Sequence, residues 1–81
     1  MAQTSLHEIT SVEEVRLLNE GIREEMKVTE DPVELERLLR RSREIILTVM
    51  GNKRLEKAAK EEYEKTRRLY EARIREVKSR K

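Results

Sequence analysis

Between Pro32 and Met50 the apolar residues Leu35, Leu38, Leu39, Ile45, Ile46, Val49 and Met50 recur at helical steps. At 100° per residue they form one stripe about 140° wide, and Arg37, Arg40, Arg41, Arg43 and Glu44 fall outside it. A stripe of that width predicts a helix packed against two neighbours. Ser42 interrupts it near the middle, where a small side chain lets another helix cross closely. Leu47 and Val33 lie on the opposite side. The ends are marked as well. Asp31 is placed to cap the helix, Pro32 lacks the amide that would be orphaned at the first position, and Glu34 suits the positive end of the dipole. Gly51 can take the left-handed conformation that stops a helix, and Asn52 can cap the next one.

The segment 53–79 repeats the pattern over a greater length. Leu55, Ala58, Ala59, Tyr63, Thr66, Leu69, Tyr70, Ile74 and Val77 share a face, and the steps from Ala59 to Val77 average about 3.6 residues. If the helix ran on through Gly51, the two stripes would diverge by about 110°. A reversal at Gly51–Asn52 lets both face one core. The segment 11–28 is patterned more sparsely. Thr10 or Ser11 can cap it, with Glu13 or Glu14 three residues on, and Val12, Val15, Leu18, Ile22 and Met26 form a narrow stripe. Gly21 lies off that stripe and costs roughly 1 kcal/mol relative to alanine. Ahead of the cap, the stretch 5–9 can form a short turn that folds Leu6 and Ile9 over one end. Connections this short predict antiparallel neighbours. The expected architecture is all-α: a single domain over 1–81, an antiparallel up-down-up three-helix bundle with a short N-terminal turn or extension. The helices are expected at about 11–28, 32–50 and 53–79.

Composition narrows what such a bundle can be. The 81 residues include no cysteine, tryptophan or phenylalanine, so the core is aliphatic and unassisted by disulfides. The longest apolar run is three residues, 45–47, too short to span a bilayer, and the opening MAQTSLHEIT lacks the features of a signal peptide. A soluble chain is expected, without membrane association and cytoplasmic in a natural setting. Charged residues make up 44% of it, but their signs are mixed and the apolar positions periodic, which argues against disorder. Residues 1–31 carry eight acids and three bases, whereas residues 32–81 carry nine acids and sixteen bases. The favoured reading sets an acidic first helix beside two basic ones. The alternative is a basic surface for a polyanion.

Candidate chemistry is sparse. His7 is the only histidine and has no neighbouring Ser, Cys or Asp to form a nucleophilic constellation, nor companions for zinc. The adjacent pairs Glu13–Glu14, Glu24–Glu25 and Glu61–Glu62 point about 100° apart on a helix and do not converge. Glu62 falls within the apolar stripe with Thr66 and near Arg73. The preferred placement is the stripe's edge with its carboxylate in water, the other a buried Glu–Arg contact that fixes register. No catalytic residue, metal, cofactor or small-molecule substrate is expected. For a partner protein or a second copy of the chain, the candidates are Leu17, Val33 and Leu47, apolar positions outside their helices' stripes. For nucleic acid, the weaker alternative, they are Arg37, Arg40, Arg41 and Arg43. Lys53, Arg54 and Lys57, or Arg75, Lys78, Arg80 and Lys81, can assist. Both tyrosines fall on the core stripe, away from any stacking role.

The stretch DPVELERLLRRSREI joins cap, proline, acidic first turn, regular leucines and a saturated charged exterior. As a set these features resemble computationally designed helical bundles, over residues 29–81, although Gly21 and the loosely patterned start depart from that style. The stretch TSVEEVRLLNEGI resembles the third helix of bacterial albumin-binding three-helix modules. Neither resemblance carries a functional residue. The expected function is that of a non-catalytic structural or interaction protein, a bundle that presents a helical surface. A nucleic-acid or polyanion-binding module is the alternative.

Overall fold

A computed structural model describes residues 9–79. Leu6, His7, Arg80 and Lys81 lie outside the described residues, as does all but Ile9 of the turn expected over residues 5–9. Three helices are present: α1 (Val12–Val28), α2 (Pro32–Val49) and α3 (Lys53–Ser79). They pack against one another, and the described residues contain no strand.

The helix ends follow from the capping chemistry. Ser11 caps α1, its hydroxyl accepting from the amide of Glu14 at 3.1 Å, while Glu14 Oε1 accepts from the amide of Thr10 at 3.1 Å. This is a capping box whose return bond lands one residue early. Asp31 accepts from the Val33 amide at 3.0 Å ahead of Pro32. Gly51 has φ +102°, a conformation that an added Cβ would strain, and Asn52 Oδ1 then accepts from the Leu55 amide at 3.1 Å. Met50, expected in the α2 stripe, has left the helix (φ −59°, ψ 139°) and is exposed. The chain unwinds there to enter the glycine turn, which carries the Met50 side chain off the stripe.

The core is aliphatic, with Val15, Met26, Leu35, Leu38 and Ala59 fully buried. Each of the larger side chains contributes about 1.5–3 kcal/mol by leaving water. Ile9, Val12, Leu39, Ile46, Leu69, Tyr70 and Ile74 pack around that centre. One core position of α1 differs from expectation. Leu18 is 40% exposed and Asn19 is fully buried in its place, so the inward stripe runs Val15, Asn19, Ile22, Met26. At 100° per residue Asn19 stands nearer the axis of that stripe than Leu18 does.

Candidate functional site

The helices place one polar residue each into the same buried layer. Asn19 comes from α1, Ser42 from α2 and Thr66 from α3, and all three are fully buried. Asn19 Oδ1 accepts from Ser42 Oγ at 2.5 Å and from Thr66 Oγ1 at 3.2 Å, while Asn19 Nδ2 donates to the Val15 carbonyl at 3.1 Å. The amide has one sensible orientation. Reversed, it would set its oxygen against the Val15 carbonyl, two acceptors with no proton between them. Ser42, a break in the stripe by its polarity, is what brings α2 close enough to donate.

Thr66 connects this layer to charge. Its hydroxyl accepts from Arg23 Nη1 at 3.2 Å, and its single proton faces both Asn19 Oδ1 and the Glu62 carbonyl, 3.0 Å away. Arg23 also donates from Nη1 to the Glu62 carbonyl at 3.3 Å and from Nη2 to Glu62 Oε1 at 2.9 Å. Lys65 Nζ lies 3.2 Å from Glu62 Oε2. Glu62 is therefore not at a wetted edge as preferred from the pattern, since only 5% of it is exposed. Burial pushes its pKa up, but the hydrogen bonds and charges of Arg23 and Lys65 outweigh this and leave it below the ordinary glutamate value. The buried pair takes its base from α1 and its acid from α3, opposite to the overall charge imbalance of the helices.

Arg73 does not reach Glu62. It donates from Nε to the Met26 carbonyl at 3.0 Å and from Nη2 to the Thr29 carbonyl at 2.5 Å, and Nη1 pairs with Glu76 at 2.7 Å. Met26 is one of the terminal carbonyls of α1 without an intrahelical partner, so α3 supplies the cap that α1 lacks in sequence. The polar layer itself offers little reactivity. The Ser42 proton goes to an amide oxygen, which cannot activate the hydroxyl as a base would. Among the described residues no three His, Cys, Asp or Glu side chains cluster in a way that could hold a metal ion.

The surface candidates are dispersed. Leu17, 56% exposed, shares a shallow hollow between α1 and α2 with Leu18, Gly21, Ile22, Glu25 and Arg41. Val33 and Leu47, both largely exposed, lie on the side of α2 away from Ser42, about 20 Å apart along the helix axis. The four arginines divide into two pairs. Arg37 lies 3.8 Å from Glu34, and Arg41 lies 3.9 Å from Glu25 of α1. Arg40 and Arg43 instead line a hollow between α2 and α3 with Glu36, Leu39, Tyr63 and Tyr70. Lys53, Arg54, Lys57, Arg75 and Lys78 are exposed. The pattern of residues missed Asn19, Arg23 and the capping role of Arg73. Asn19 was findable from its 4-3-4 spacing with Val15, Ile22 and Met26, whereas the arginine contacts join residues more than 38 positions apart and leave no periodic trace. No protein-family model, curated protein sequence or solved structure matches the chain.

Proposed function

We propose that the chain is a non-catalytic structural and interaction protein, an up-down-up three-helix scaffold that presents its outer faces to a protein partner. The observation that carries the reading is the layer of Asn19, Ser42 and Thr66. Buried polar groups of this kind stabilise little against water, but they select one alignment, because any other leaves an amide or hydroxyl unsatisfied. A chain whose interior specifies alignment is built to hold a shape.

The course of the helices is supported by their register. Asn19 meets Thr66, and seven residues further along both helices the Met26 carbonyl meets Arg73, so α1 and α3 advance together. The short connections at 29–31 and 50–52 then return α2 in the opposite sense. Leu17 on α1 and Val33 and Leu47 on α2 are apolar positions that this scaffold offers outward, and Leu18, Val28 and Met50 are exposed as well. Equilibrium urea unfolding of the isolated chain tests the reading. Helical circular dichroism and tyrosine fluorescence should report one coincident, cooperative transition. A broad, non-coincident loss of helix would show that the chain needs a partner to acquire its shape, and would overturn the scaffold reading.

A further inference from the structure

The hollow between α2 and α3 is the place where unspent charge and aromatic surface coincide. It measures about 220 Å³. Tyr63 and Tyr70, expected inside the core stripe and away from stacking, are instead half-buried. Tyr70 packs on the core, yet both line this hollow, and Arg40 and Arg43 stand exposed at its wall. On α3, the basic residues three positions before each tyrosine are engaged: Arg67 pairs with Glu64 and Glu71, and Lys60 pairs with Glu56. Arg40 and Arg43 make no hydrogen bond or ion pair with another described residue, and neither tyrosine hydroxyl makes a hydrogen bond with one. One carboxylate, Glu36, shares the rim, so the local sum is one positive charge.

We propose that this hollow binds single-stranded nucleic acid, with a phosphate between Arg40 and Arg43 and bases against Tyr63 and Tyr70. The arginines are three residues apart, neighbours on one helix face, so both guanidinium forks can reach one phosphate. The tyrosines are seven residues apart, about 10 Å along α3, which sets two rings along the track of one strand. Bases stacked inside a duplex cannot reach half-buried rings, whereas unpaired bases can. The inference goes beyond the scaffold reading and does not depend on it. A bundle that fails to bind nucleic acid still folds, and the two are read by separate measurements.

Tyr63 and Tyr70 are the chain's only aromatic residues, so its intrinsic fluorescence reports on this hollow alone. A single-stranded oligothymidylate should quench that emission saturably and bind more tightly than a duplex of equal length. Affinity should fall as salt rises. The decisive comparison uses two variants of equal charge, followed by anisotropy of a labelled strand. Arg40→Gln with Arg43→Gln should weaken binding about tenfold or more, and Arg37→Gln with Arg41→Gln markedly less. Tyr63→Leu with Tyr70→Leu should weaken it, by about tenfold, as loss of stacking requires. Glu36→Gln should tighten it. Helical circular dichroism of each variant, the half-buried tyrosine replacements included, should match that of the native chain. Equal losses in the two arginine pairs, a duplex bound as tightly as the single strand, or absence of quenching would overturn the proposal.

Discussion

Arg23 Nη2 lies 2.9 Å from Glu62 Oε1, and the same guanidinium donates from Nη1 to the Thr66 hydroxyl and the Glu62 carbonyl. One side chain from α1 thus holds a carboxylate, a hydroxyl and a main-chain oxygen of α3. Removing either charged partner strands the other in a poorly hydrated place. Glu62→Gln and Arg23→Met should each destabilise the fold by about 1–3 kcal/mol, below the range for fully buried pairs because Lys65 and part of Arg23 remain in water. Their combined effect should be less than the sum, which a double-mutant cycle of urea midpoints measures.

The same pair makes stability depend on acid. The folded-state pKa of Glu62 is lowered, so the unfolded chain takes up a proton first as pH falls. Its contribution is present above the unfolded glutamate pKa of about 4.3 and is lost as pH falls through the lower folded value. Urea midpoints measured from neutral pH downward should converge for the native chain and Glu62→Gln once both forms are protonated. A difference that stays constant into strong acid contradicts the assignment.

Replacements in the polar layer should depend on how many partners each removes. Ser42→Ala leaves Asn19 Oδ1 with Thr66, and should cost about 1 kcal/mol. Thr66→Val removes an acceptor from Arg23 and a donor from Asn19, and should cost about 1–3 kcal/mol. Changing Asn19, Ser42 and Thr66 together to Leu, Ala and Val should recover most of that stability. It should also broaden the amide resonances, because the constraint on alignment has gone.

Two glycines should respond in opposite directions. An alanine Cβ at Gly21 would meet nothing within 4 Å, so Gly21→Ala should stabilise α1 by about 1 kcal/mol. Gly51 has open space too, but its φ of +102° makes Gly51→Ala destabilising by about 1 kcal/mol or more. Thermal unfolding of the two variants checks both signs.

How much of this is legible in residues alone depends on how local the cause is. The caps at Ser11, Asp31, Gly51 and Asn52 act over three or four residues, and the pattern states them directly. Three helices with an aliphatic interior follow from periodicity in the same way. Asn19 and Glu62 were harder, because a polar residue near an apolar stripe reads as the stripe's edge unless its partner on another helix is known. The apolar pattern counts Leu18 inward by its chemistry, although the rotation of the helix favours Asn19 once hydroxyls from α2 and α3 satisfy it. The division of Arg40 and Arg43 from Arg37 and Arg41 depends on which neighbour each side of α2 meets, and no property of α2 alone decides that.

Amide hydrogen exchange of the isolated chain, read residue by residue under native conditions, addresses the shared interior most directly. The account expects residues 15–26, 38–45 and 59–66, the stretches that carry Asn19, Ser42 and Thr66, to exchange slowly and with one common opening free energy. Amides of α2 exchanging at the rate of an unstructured chain while α1 and α3 stay protected would contradict it.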